Sequence, residues 1–316
     1  MRRREVIAAI GAAAAVAAGH SPLHAQTIRR VGVLLPKDAD AFWAVFRAAM
    51  HERGYVEGRD LTFELRIVGE RSFDHLAAEL VGMNVTLIVA HQTPAAQAAR
   101  AATREIPIVA AAGDLVATGL IRSLSHPGGN VTGVSGMTAE VAGKCVELLR
   151  EALPQAARLA LLANADDPFT APFLDQVLSV ATALRFDVGT FMIRDPSELD
   201  AAFAQLRRYP VEAVLVQPSL HRRRAFEFGL ANRMATVSPY VRAADEGALI
   251  AYGPDSIEQY RAAAAVADKV LKGADPASLP VALPVKFRLI INAKTATQIG
   301  LTISPTLLAR ADEVIE

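Results

Sequence analysis

A strand–helix series that runs through the chain twice constrains this protein more than any other feature. Apolar runs begin near Val31, Leu61, Val85 and Ile106, at intervals of about 30, 24 and 21 residues. They begin again near Leu159, Val188, Ala213 and Val237, at intervals of about 29, 25 and 24. Each run is short and bounded by turn residues, and each gap has helical periodicity. Strands that alternate with helices are joined by right-handed crossovers into open parallel sheets flanked by helices. The expected fold class is therefore α/β, in two lobes with a cleft between them, and 316 residues suit two cores of ordinary size.

Before the first run stands a leader. Arg2, Arg3 and Arg4 are followed by the Ala-rich run Val6 to Ala18 and by the small-residue site Leu23-His24-Ala25. This is the layout of a secretory signal peptide over residues 1–25, with an uncleaved anchor or a fortuitous Ala-rich helix as the alternative. Arg3-Arg4-Glu5-Val6-Ile7 also resembles a twin-arginine signal, so either export route stays open. The mature protein is expected in the periplasm. The whole chain carries 33 basic and 33 acidic residues, and removing 1–25 takes three Arg and one Glu, leaving 30 against 32. A near-neutral surface argues against nucleic acid or a membrane surface as partner. Cys145 is the only cysteine, so an intramolecular disulfide and a cysteine metal cluster are excluded.

Elements are expected at Val31–Leu35, Asp40–Arg53, Leu61–Val68, Phe73–Met83, Val85–Ala90, a helix capped by Thr93, and Ile106–Ala111. The break His126-Pro127-Gly128-Gly129-Asn130 places the first crossing between lobes at Val131 to Ser135. The second lobe opens with a helix over Ala139–Leu153 and continues through strands at Arg158–Leu162, Asp187–Ile193, Ala213–Val216 and Val237–Tyr240. Leu249–Tyr252 returns the chain, a long helix covers Ser256–Lys272, and a strand Val285–Asn292 with two short helices completes it. Lobe 1 is thus residues 26–134 plus about 252–280 and lobe 2 is 135–251, with residues 281–316 unassigned between them.

No catalytic or cofactor motif accompanies this pattern: there is no G-x-x-x-x-G-K-[ST], no strand-linked G-x-G-x-x-G and no H-E-x-x-H. Gly133-Val134-Ser135-Gly136 lacks the closing glycine of a nucleophile elbow. Asp166-Asp167 reads as a solvated turn, with a metal site or an acid–base pair as the alternative, and His221-Arg222-Arg223-Arg224 as the charged outer face of a helix, with an anion site as the alternative. No cofactor and no metal are expected.

Several segments instead carry a resemblance. They are Gly54-Tyr55-Val56-Glu57-Gly58-Arg59, Thr93-Pro94-Ala95-Ala96, Arg104 to Val109, and Pro127-Gly128-Gly129-Asn130-Val131-Thr132-Gly133. In the same order follow Tyr252-Gly253-Pro254-Asp255, Leu271-Lys272-Gly273-Ala274-Asp275-Pro276, Leu301 to Pro305 and Leu307 to Glu316. Together they resemble the ABC-transporter substrate-binding proteins that include tryptophan/tyrosine-type receptors, over nearly the whole mature chain. Asp114-Leu115 departs from the Asp-Pro of many members. The resemblance implies a type I-like periplasmic-binding fold, a small-molecule ligand, and a permease with its ATPase as partners; a monomer is expected. The alternatives are a periplasmic sensor for a signalling partner and an enzyme on a two-lobed scaffold.

Ligands of open parallel sheets bind beyond the carboxyl ends of the strands. That rule selects the loops Pro36–Asp40, His91–Gln97, Ala112–Asp114, Ser135–Thr138, Asn164–Thr170, Gln217–His221 and Tyr252–Asp255. If the solute is an amino acid or another small carboxylate, Thr93 with the N–H groups of Ala95 and Ala96 at a helix start suits the carboxylate. Asp114 or Asp255 suits an ammonium group. Ser135, Asn164 and Ser219 are candidates for the polar shell, and Phe169 and Tyr252 for an aromatic wall.

Overall fold

The computed structural model describes residues 28–37, 39–195, 197–209, 211–220 and 222–316, so the expected signal peptide lies outside the described residues. Strand β1 (Arg29–Leu35) leads to helix α1 (Asp40–Glu52), whose Phe42, Phe46, Ala49 and Met50 recur at helical spacing and are buried. There follow β2 (Leu61–Ile67), α2 (Phe73–Gly82), β3 (Leu87–His91), α3 (Thr93–Ala102), β4 (Ile108–Ala112) and β5 (Val131–Ser135). All five strands are parallel, in the order β2-β1-β3-β4-β5. Alternation splits each strand between two cores. Val31, Val33 and Leu35 face the layer of α1, while Leu34 faces that of α2 and α3.

The second series is α4 (Thr138–Ala152), β6 (Arg158–Asn164), α5 (Thr170–Ala183), β7 (Asp187–Ile193), α6 (Glu198–Arg208), β8 (Ala213–Val216), α7 (Arg222–Ala231), β9 (Ala235–Ser238) and β10 (Ile250–Pro254). Then come α8 (Ser256–Leu271), β11 (Phe287–Asn292), α9 (Ala293–Ile299), α10 (Pro305–Ala309) and β12 (Glu313–Ile315). The second sheet has seven strands in the order β12-β11-β10-β9-β8-β6-β7, and only the β10–β11 pair is antiparallel. Its faces are covered by α4, α5, α9 and α10 on one side and by α6 and α7 on the other.

Three connections join the lobes, and two fall later than the sequence reading places them. Val131–Ser135 is not the crossing; it pairs with β4 as the fifth strand of the first sheet, and the chain crosses between Ser135 and Thr138 through Met137 at φ 51°. Likewise β10 stays in the second sheet through Pro254, so Tyr252 belongs there, and the return comes at Asp255 as α8 packs on α1. The third connection leaves the first lobe after Ala282, which bridges Val134 in β5, and enters β11. Residues 287–316 therefore pair within the second sheet. Among the described residues no helix is long and apolar enough to cross a membrane.

Candidate functional site

On the first lobe the site grows from the end of β3. The chain leaves the strand at His91, passes Gln92 at φ 72° and ψ 159°, and enters α3 with Pro94 in its first turn. The Gln92 N–H donates to the Ala111 carbonyl at 2.8 Å, and the Gln92 carbonyl accepts from the Ala96 N–H at 3.1 Å. The helix therefore begins one residue earlier than expected, with Gln92 and not Thr93 at the capping position, and without a side-chain cap. Thr93 is 3% exposed. The N–H groups of the first turn have no intrahelical acceptor, which leaves this end of α3 electropositive. His91 stacks on Phe42 at 4.3 Å and meets the edge of Tyr260 at 5.5 Å. Ser256, Gln259 and Tyr260 reach the same space from α8.

On the second lobe the turn after β6 supplies the charge. Asp166 is exposed, but Asp167 is only 6% exposed. One Asp167 carboxylate oxygen accepts from the Phe169 N–H at 2.9 Å and the other from the Gln217 side-chain amide at 3.2 Å. Gln217 is fixed in turn, its side-chain oxygen accepting from the Asn164 N–H at 2.8 Å and the Thr170 hydroxyl at 3.1 Å. Burial pushes the Asp167 carboxyl above the ordinary aspartate range, against the opposing pull of the Phe169 N–H. Arg222 is equally buried, donates to both Glu246 oxygens at 3.1 and 3.0 Å, and lies 4.7 Å from the Tyr240 ring. Its charge is thus balanced within the lobe, while Asp167 has no ion-pair partner among the described residues.

These two half-sites border one cavity, with about 740 Å³ of empty space including its mouth. The first lobe contributes His91, Gln92, Thr93, Ala111 to Gly113, Ser256, Gln259 and Tyr260; the second contributes Asp167, Phe169, Gln217, Pro218, Ser219, Arg222, Pro239 and Tyr240. Gly136, Thr138 and Pro254 line it from the connections. The lobes approach closely here: a Cβ placed on Gly113 would stand 3.3 Å from the Phe169 ring and from the Thr138 hydroxyl. Among the described residues no group of three His, Cys, Asp or Glu side chains converges as metal ligands would.

Of the residues singled out in the sequence, Thr93, Phe169 and Ser219 line the cavity, and the others do not. Ala95 and Ala96 are fully buried against the first sheet. The Asp114 carboxylate is engaged locally, accepting from the N–H groups of Val116 at 3.0 Å and Ala117 at 2.9 Å. Ser135 is buried inside β5, its hydroxyl 3.5 Å from the Gly113 carbonyl. Asn164 holds the turn that presents Asp167, its side chain accepting from the Asp166 N–H at 3.0 Å. Tyr252 lies against the α4 core with its ring 6.1 Å from that of Phe287. Asp255 caps α8, accepting from the N–H groups of Ile257 at 3.0 Å and Glu258 at 3.2 Å. The sequence reading missed His91, Gln92, Asp167, Gln217, Arg222, Tyr240, Gln259 and Tyr260. Four of these sat in loops the strand-end rule had selected; Arg222, Tyr240, Gln259 and Tyr260 carried no such signal.

Two α/β lobes, three connections among the described residues and a cavity shared by both define a binding protein of the kind that closes on a small solute. The family model for ABC transporter substrate binding proteins matches residues 38–315, and the chain belongs to that family. It is similar to a tyrosine-binding protein of Clostridioides difficile, 27% identical over 260 residues that make up 79% of this chain and 74% of the relative. It is also similar in structure to an ABC domain from Streptococcus pneumoniae in complex with L-Trp, with a TM-score of 0.83, 23% identity and coverage of 92% of this chain and 100% of the other. A conserved domain protein from Vibrio cholerae gives the same TM-score, 0.83, at 23% identity, covering 90% and 99% of the two chains.

Proposed function

We propose that this chain is the periplasmic receptor of an ABC importer, that it captures an α-amino acid, and that it hands it unchanged to a membrane permease driven by a separate ATPase. One observation carries the reading: Asp167 on one lobe and the N-terminal end of α3 on the other border the same cavity. A buried carboxylate without a cation suits an ammonium group, and an electropositive helix end beside the Thr93 hydroxyl suits a carboxylate. A zwitterion with both groups on one carbon answers both demands and bridges the lobes as it does so. The tyrosine-binding relative and the L-Trp complex support the same solute class.

A solute that touches both lobes favours the closed state by its differential affinity for it. Micromolar capture needs about 8 kcal/mol, within reach of a few charge-assisted hydrogen bonds at about 1.5–3 kcal/mol each with apolar burial against Phe169. No bond is made or broken in this scheme, and the receptor acts as a monomer after loss of residues 1–25.

Calorimetric titration of residues 26–316 with L-amino acids, their decarboxylated amines, their deaminated acids, and sugars tests the reading. The expected result is binding of an amino acid, with both the amine and the acid weaker by about tenfold or more, since each leaves one half-site unpaired. Binding of a sugar or of a simple acid with no amino acid bound would sink it.

A further inference from the structure

Gln92 occupies a backbone conformation, φ 72° and ψ 159°, that glycine alone adopts without strain, because any Cβ there crowds the adjoining peptides. The turn demands this conformation whatever residue fills it. It ties the end of β3 to β4 through the hydrogen bond to Ala111, and it opens α3 through the bond from Ala96. A glutamine here carries strain that a glycine would not. Nor does the side chain return anything to the fold: half-buried at the cavity wall, its amide makes no hydrogen bond among the described residues. The amide of Gln217, by contrast, is committed to Asp167 and the turn beside it.

Resting on the amino-acid reading above, we propose that Gln92 is a specificity-determining residue of this cleft. Its amide hydrogen-bonds an uncharged polar group on the solute's side chain and disfavours solutes that carry only hydrocarbon there. A carboxamide offers two donors and an acceptor and no charge. It satisfies a hydroxyl or an amide directly, whereas a charged group in a closed cleft would ask for a counter-charge. Gln259 borders the same cavity from α8 with its own amide and extends this polar surface. When the cleft closes on a hydrocarbon side chain, the Gln92 amide loses water and gains no partner, and discrimination of that origin is far steeper than that of a methylene in an apolar pocket.

The test uses two pairs of probes that differ at the side-chain end: L-tyrosine against L-phenylalanine, and L-glutamine against L-methionine. Wild-type protein is expected to prefer the polar member of at least one pair by about tenfold or more. Gln92→Leu and Gln92→Gly should each cut that preference to below about threefold. Gln92→Gly suits the backbone, so it removes the amide without endangering the fold. It should also raise the thermal midpoint of the unliganded protein by about 2 °C over Gln92→Ala, which keeps the strain and lacks the amide. A preference that survives in both Gln92→Leu and Gln92→Gly overturns the proposal, as does wild-type binding without preference. If other L-amino acids bind but none of the four probes does, this proposal falls alone; if no L-amino acid binds, the amino-acid reading falls and this proposal with it, an outcome distinct from binding with an unaltered ratio.

Discussion

Asp167 is held in two opposed ways. Its hydrogen bonds from Phe169 and Gln217 support the carboxylate, while burial beside Phe169 penalises its charge. Because its folded-state pKa is raised above the unfolded value, the native state holds the proton more tightly. The stability it contributes is fully present below the unfolded pKa and is lost as pH rises through the raised one. At neutral pH the ionised carboxylate is therefore a burden on the unliganded fold. Asp167→Asn is expected to stabilise that fold in urea unfolding at pH 8 more than at pH 4, and to weaken amino-acid binding by about tenfold or more. A variant that loses stability at pH 8 would contradict this account. The sequence did not expose Asp167 or Arg222. In isolation a charge pair or run is a solvated surface, and these two are buried only because Gln217 and Glu246, distant in sequence, come to them. Thr93, Phe169 and Ser219 were legible because the strand-end rule depends on connectivity alone.

At the scale of elements, two short pieces resisted reading. Val131–Ser135 follows a strong break and looks like a crossing, yet in space it lies beside β4, where Gly133 permits the approach. Gly133 has φ +145°, and a Cβ there would stand 1.9 Å from the Ala110 carbonyl oxygen. Gly133→Ala should therefore cost more than about 3 kcal/mol or prevent folding, as read by urea denaturation. β12, of three residues, has no periodicity of its own and exists only through its pairing with β11. Elements with an apolar run of their own were plain: the strands Asp187–Ile193 and Ala213–Val216 span the residues that their apolar runs mark. Asp255 illustrates the ambiguity of a polar residue between elements. Its carboxylate caps α8, so Asp255→Ala should lower stability by about 1 kcal/mol and leave solute affinity within about threefold. A loss of affinity with unchanged stability would return Asp255 to the binding site.

For the whole molecule, the narrow gap between Gly113 and Phe169 makes closure sensitive to a single side chain. Gly113→Leu places branched carbon where the Phe169 ring and the Thr138 hydroxyl already stand. X-ray scattering of this variant should give the same radius of gyration with and without saturating amino acid, with affinity reduced about tenfold or more, whereas the wild-type protein contracts. Equal contraction in both would show that the contact does not limit closure. The interleaved course of the chain has a further consequence, for its synthesis. The first lobe lacks α8 until residue 271 exists, and the second lacks β10 to β12 until residue 315. A chain truncated at residue 255 should thus be digested by protease in its first half, where a full-length chain resists. At about 5–20 residues per second, some 10–45 s pass between the emergence of β1 and that of α8. Throughout that interval the α1 face of the first sheet is only half covered, which gives any chaperone that holds unfolded polypeptides a long window in which to take the nascent chain.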